Sequence, residues 1–261
     1  MKCFAKKNFW FFILLAISIG IFIYFCIADD NLSVLFENIS TTNVFWLILA
    51  SVSIFLSWFI ESYILNLLTK QTYEENTSLK SSLEITMVGQ YFNAISPFCV
   101  AGQPMQVLVM SKKGMDAGTS ISIVVKKFLI YQTTLILYST LAITLRYSFF
   151  DSEIPGFMPF TIIGFCSQIF IILVILFFSM NRDFTVKTIL VSCNLLGKTK
   201  ILKDSDKASK SVIKQLDLYV DSIKSMRNNL FLIFKLYILT FLQFSALFVI
   251  TFFIYKAFNN D

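Results

Sequence analysis

The sequence predicts an all-α polytopic membrane protein, with about five spanning helices and one re-entrant broken-helix hairpin over residues 83–111. Three observations carry this expectation. Of the 261 residues, 56% are hydrophobic and 30 are phenylalanine, and the apolar residues fall in runs long enough to cross a hydrocarbon core. Charged residues make up only 15% and gather between those runs. Finally, residues 88–110, VGQYFNAISPFCVAGQPMQVLVM, are apolar enough for a bilayer but too interrupted for an ordinary membrane helix. Pro97, Gly102 and Pro104 break the stretch, and Gln90, Asn93, Ser96, Gln103 and Gln106 are threaded through it. Irregular backbone at membrane depth survives only where protein or a wet cavity satisfies its polar groups.

Composition narrows the chemistry. The sequence contains no histidine, which excludes Ser-His-Asp and Cys-His catalysis and His-ligated metal sites. The five cysteines, Cys3, Cys26, Cys99, Cys166 and Cys193, show no metal-like spacing and read as small apolar fillers. A net charge of +6 invites a nucleic-acid reading, but the basic residues lie in loops beside membrane segments. The excess of Lys and Arg on cytoplasmic loops accounts for them, so no direct nucleic-acid partner is expected, and no cofactor.

In order along the chain, Lys2, Lys6 and Lys7 precede an apolar run over 9–28. The run is longer than a signal-peptide core, so a retained first span is expected, with the N-terminus cytoplasmic. Residues 29–43 hold Asp29, Asp30 and Glu37 and no basic residue, which suits the outside. A second span is expected over 44–68, then a polar segment with Lys70 and Lys80, then the broken stretch.

A proline-kinked single crossing and a re-entrant hairpin both fit residues 83–111 locally. The charges choose between them. A single crossing places Lys112, Lys113 and the loop 181–229, with ten Lys/Arg against five Asp, on the outside. A hairpin places both basic loops inside and the loop with Asp151 and Glu153 outside, as positive-inside bias requires. Lengths agree: the 14 residues of 83–96 reach about 21 Å as helix, enough for the middle of a core of about 30 Å but not its far side. Pro104 suits the first position of the returning half-helix, which would set Gln103 and the Gly102 backbone at a helix N-terminus within the membrane. Such an end attracts anions, for example a lipid phosphate.

Further spans are expected over 120–147, 157–180 (after a Pro155–Gly156 turn) and 230–258. Between the last two, Val212, Leu216, Tyr219, Val220, Ile223 and Met226 recur at helical spacing among charged residues, which predicts an amphipathic cytoplasmic helix over about 205–228. It either lies on the inner leaflet or packs against the membrane helices. All 261 residues are expected to form a single integral membrane domain.

Glu61, Lys126 and Lys127 lie well inside their expected spans. Glu61 is about eight residues from the cytoplasmic end of its span, and Lys126 and Lys127 are at a similar depth in theirs, about 12 Å in. A lone intramembrane charge costs at least about 2.5 kcal/mol on insertion scales. Opposite charges at one depth point to a pair: Glu61 with Lys127, and Lys126 as the substitute. The pair either locks two helices or takes part in transport, and a lysine stem is also long enough to snorkel to the interface. Gln132, Thr133 and Thr134 continue a polar face that suits interhelical hydrogen bonding.

The run GQYFNAISPFCVAGQPMQ at 89–106, Lys113-Gly114, and KFLIYQ at 127–132 together resemble the lysylphosphatidylglycerol synthase transmembrane-region family. This is the flippase-like membrane domain of the multiple peptide resistance factor. The family pattern has Asn, then Pro, then a Gly-Gly-x-Pro turn; Asn93, Pro97, Gly102 and Pro104 match it, while Ala101 replaces the first glycine. The replacement is mild if Ala101 needs no positive φ. The likeness is clearest over about 44–147. A second Pro-rich and Gly-rich element, usual in the family's C-terminal half, is not present up to Asp261, so a shortened stand-alone member is expected.

The resemblance implies a multi-pass protein of a bacterial-type cell membrane that binds or translocates an anionic or lysylated phospholipid, phosphatidylglycerol or lysylphosphatidylglycerol. The expected lipid-binding residues are Asn93, Ser96, Pro97, Gly102, Gln103, Pro104 and Gln106, with Glu61, Lys127 and Lys126 as an intramembrane charge pair and its substitute. The family label also covers phosphatidylglycerol lysyltransferase, which needs a soluble domain using aminoacyl-tRNA; no polar segment here exceeds about 50 residues. A non-catalytic subunit of a split flippase is the third reading. A separate synthase, a complementary membrane subunit or a second copy are the partners these readings imply.

Overall fold

A computed structural model describes residues 42–73, 77–153, 156–188, 205–226 and 229–258, together with 19–21, 23, 24 and 191. The protein is an all-α membrane protein. Its described elements are α1 (Val44–Thr72), α2 (Leu79–Ile95), a 3-10 turn (Pro97–Cys99), α3 (Gly102–Lys112), α4 (Ala117–Leu145), α5 (Tyr147–Glu153), α6 (Phe157–Met180), α7 (Ser205–Met226) and α8 (Leu230–Phe258). Among the described residues four helices are long and apolar enough to cross a membrane: Val44–Thr72, Ala117–Leu145, Phe157–Ser179 and Leu230–Phe258. The span expected over 9–28 falls largely outside the described residues. The helices α1 and α4 each have 29 residues, about 43 Å, so both exceed a core of about 30 Å and carry turns beyond it.

The chain divides into two compact units. In the smaller, Met1–Ser51 with Ile250–Asp261, the Asn43 N–H donates to the Ala257 carbonyl at 3.0 Å and the Trp46 ring meets those of Phe252 and Phe253. The larger, Val52–Val249, holds the main core. There Ile64, Leu65, Leu68, Ile85, Met110, Ile123, Ile130 and Leu236 pack together, drawn from α1, α2, α3, α4 and α8. Aliphatic side chains on one stripe of each of these helices meet here, while other faces stay apolar and exposed, as at Phe55, Phe59 and Leu137. That inversion of the soluble pattern is what a lipid solvent permits.

The broken stretch forms a hairpin of two short helices. The arms run antiparallel: Asn93 meets Gly102 near the turn, Gly89 meets Gln106, and Glu84 meets Lys113 at the open end. The arms differ from the expectation in length, since α2 begins at Leu79 and α3 at Gly102. Pro104 therefore stands third in α3, not first. The cause is local capping: the Ala101 N–H donates to Ser96 Oγ at 3.2 Å and the Gly102 N–H to Asn93 Oδ1 at 2.8 Å, so the helix starts earlier than proline alone would set it. Pro104 remains among the first positions, where a missing N–H costs nothing. Ala101 has φ −80°, so the family's glycine is not needed there. The left-handed residue of the turn is Cys99, φ 54°.

The helix α7 packs along the first third of α4. Leu216 and Val220 are buried, worth about 1.5–3 kcal/mol each. The Gly118 N–H donates to Gln215 Oε1 at 2.6 Å, and a methyl group at Gly118 would overlap the Gln215 carbonyl, so α7 approaches closely only because this residue is glycine. On its other side α7 meets the end of α6, where the Ser179 and Tyr219 hydroxyls bond and Arg182 Nε donates to Asp217 Oδ1 at 2.6 Å. The Arg182 guanidinium holds the Asp217 carboxyl below its usual range, and Asp217 in turn raises Arg182.

Candidate functional site

A cavity of about 410 Å³ opens between α1, the α2–α3 hairpin, α4 and α8. Its floor is an ion pair. Glu61 comes from the middle of α1, on the same face as Ser57 and Ile64, because residues three and four apart share a helix face. Lys127 comes from α4, 66 positions later, and its Nζ donates to Glu61 Oε1 at 2.8 Å. Each member has a second partner from the hairpin: Gln90 Nε2 donates to Glu61 Oε2 at 2.6 Å, and Lys127 Nζ donates to Gln106 Oε1 at 3.0 Å. The two side chains are 12% and 14% exposed, which keeps the pair out of lipid but within reach of the cavity. Desolvated charges need this arrangement, since their mutual attraction offsets the loss of water only when the remaining lone pairs and protons are also engaged.

The walls mix polar and aromatic groups. Asn93, Cys99 and Gln103 project from the hairpin, Trp58 from α1, Phe128 and Tyr131 from α4, and Thr240, Gln243 and Leu247 from α8. A net-neutral floor with a carboxylate and an ammonium, ringed by amides and rings, can accept hydrogen bonds, donate them, and meet either sign of charge.

Each residue named from the sequence has a definite place. Asn93 and Ser96 turn their oxygens to the start of α3, as caps; since an N–H must meet an oxygen, the Asn93 amide has its NH₂ on the other side. Gly102 is buried against Asn93 and Gly89, and its N–H is engaged by Asn93. Gln103 is exposed and lines the cavity, while Gln106 is 3% exposed and faces it with the oxygen that holds Lys127. Pro97 and Pro104 frame the turn and do not line the cavity. The expected substitute, Lys126, is not near Glu61. It is fully buried on the other side of α4, donating to Thr72 Oγ1 and Ser222 Oγ, both at 3.0 Å. Neighbours on a helix diverge by about 100°, so the two lysines cannot serve one partner. Thr133 bonds the Tyr237 hydroxyl across to α8, an interhelical contact away from the cavity.

Sequence reasoning left out the α8 wall and the aromatic residues. Tyr131 follows Lys127 by four positions, and Trp58 precedes Glu61 by three, so helical spacing from the two charges would have found both. For Thr240 and Gln243, in a mostly apolar helix, the signal was their polarity alone.

These features define a multi-pass all-helical membrane protein with an ion-paired polar cavity beside a broken helical hairpin. The chain belongs to the lysylphosphatidylglycerol synthase TM region family, whose family model matches residues 11–261. The match thus extends well beyond the 44–147 segment that carries the clearest motifs. No curated protein and no solved structure matches the chain.

Proposed function

We propose that this protein binds the head group of an anionic or lysylated phospholipid, of the lysylphosphatidylglycerol type, in the cavity and moves it across the membrane. The observation that carries the reading is the Glu61–Lys127 pair at the floor of a polar cavity among membrane-spanning helices. A head group with a phosphate can approach Lys127, and its amine, where present, can approach Glu61; each displaces one bond of the resident pair and replaces it.

The hairpin is re-entrant in this reading. Its arms have 17 and 11 residues, about 26 and 17 Å, so neither crosses a core of about 30 Å. Both basic segments that flank α3 and α7 then face the cytoplasm. Asn93 and Ser96 already hold the Gly102 and Ala101 amides, so these two are not offered to the phosphate. The lipid instead meets Gln103, the Asn93 amide nitrogen and the ion pair.

Reconstitution tests this. Purified protein in liposomes is given fluorescent or lysylated phosphatidylglycerol, and its movement is followed with an external quencher, for wild type, Glu61→Gln, Lys127→Met and Pro104→Ala. Movement above empty liposomes that is lost in the charge variants at equal folding supports the reading. Absence of movement with intact wild type defeats it.

A further inference from the structure

The two hairpin arms interlock through two amides laid over two glycines. Gln106 of α3 lies across α2 at Gly89, where a built Cβ would overlap its Nε2 and come within 2.9 Å of its Cδ and Cγ. Asn93 of α2 lies across α3 at Gly102, whose built Cβ would stand 2.5 Å from the Gly89 carbonyl oxygen. Gly89 thus takes part in both crossings. Real Cβ atoms do not approach this closely, so any side chain at Gly89 must drive Gln106 away.

Gln106 is not an idle filler. It is 3% exposed, and its Oε1 is the second acceptor for Lys127, which points on to Glu61. An ammonium has three protons and no preferred direction of its own, so the acceptors around it decide where it sits. The notch at Gly89 decides where Gln106 sits. We propose that Gly89 is a positioning residue for the cavity: its missing side chain seats Gln106 as a strut that holds Lys127 against Glu61, and the strut is part of the floor, not a head-group ligand. This rests on the cavity being the lipid site, but its geometry can be read without lipid.

The test is the reactivity of Lys127. Purified protein in detergent is treated with limiting acetic anhydride, and acetylation of Lys127 is followed by mass spectrometry relative to exposed Lys112. Variants are Gly89→Ala, Gln106→Ala and the double. Loss of one hydrogen bond to a charged group raises the reactive fraction by about tenfold. Each single variant is expected to show that rise, and the double variant no more than either, because both act through one contact. Wild-type reactivity in folded Gly89→Ala overturns the proposal, and so does a double effect equal to the product of the singles. If Gly89→Ala does not fold, the double variant, in which the overlap is gone, must fold and Gln106→Ala must still release Lys127; failure of either overturns it. Translocation plays no part in this readout, so it succeeds or fails separately from the lipid-transport reading.

Discussion

Lys126 and Lys127 are consecutive residues of α4 that leave the helix on different sides, one sealed against Thr72 and Ser222 and the other paired with Glu61. Two neighbouring ammonium groups therefore have unlike surroundings. Lys127 has a counter-ion and a cavity; Lys126 has hydroxyls, and among the described residues no carboxylate forms an ion pair with it.

Breaking the Glu61–Lys127 pair on one side strands a charge in a low-dielectric setting. Glu61→Leu or Lys127→Met alone is expected to destabilise by about 3–5 kcal/mol, and the Leu/Met double variant to recover most of that loss. Thermal or denaturant unfolding in one detergent checks this. Equal, additive losses would mean that the two side chains do not act as a pair.

Lys126 predicts the reverse ordering. Removing it as Lys126→Met leaves Ser222 bonded to Ser122 and Thr72 bonded to the Leu68 carbonyl, so no partner is orphaned and a buried charge is gone. The change is expected to be within about 1 kcal/mol of neutral. Ser222→Ala instead withdraws an acceptor from the buried ammonium and should cost about 1–3 kcal/mol. The same unfolding measurement ranks the two.

Cys99 holds φ 54° without being glycine, a conformation that costs an L-residue roughly 1–2 kcal/mol. The side chain is exposed, so Cys99→Gly loses little packing. A gain of about 1 kcal/mol is expected, less the entropy glycine adds to the unfolded chain. A lower melting temperature than wild type would contradict the assignment of the turn.

The Arg182–Asp217 contact should make the docking of α7 depend on acid. Asp217 has its folded-state carboxyl pKa lowered by Arg182, first through their hydrogen bond. A lowered carboxyl contributes stability at neutral pH, and that contribution disappears as pH falls below the ordinary value of about 3.9 and through the folded one. The protection of α7 amides from hydrogen exchange, taken relative to their intrinsic rates at each pH, should thus be flat through neutrality and fall only in acid. In Asp217→Asn the acid-dependent step should shrink. Both groups are solvent-exposed, so the effect is small and is further reduced by salt.

A helical membrane protein is legible from residue order alone, because span length and apolar runs report directly on the thickness of the solvent. Residue order also marks a break around Pro97, Gly102 and Pro104, and it singles out Glu61, Lys126 and Lys127, since charge inside an apolar run is visible without coordinates. Tertiary structure decided everything that depends on rotation about a helix axis. One residue's difference, about 100°, sent Lys126 to α7 and Lys127 to Glu61. The capping of Gly102 by Asn93 and the seating of Gln106 on Gly89 were likewise hidden, because both need two arms to pack antiparallel in one register. The α8 wall, with Thr240 and Gln243, joins a site more than 100 residues away only because helix packing brings it there. Local composition records what a segment is made of, while the choice of face and partner is a property of packing.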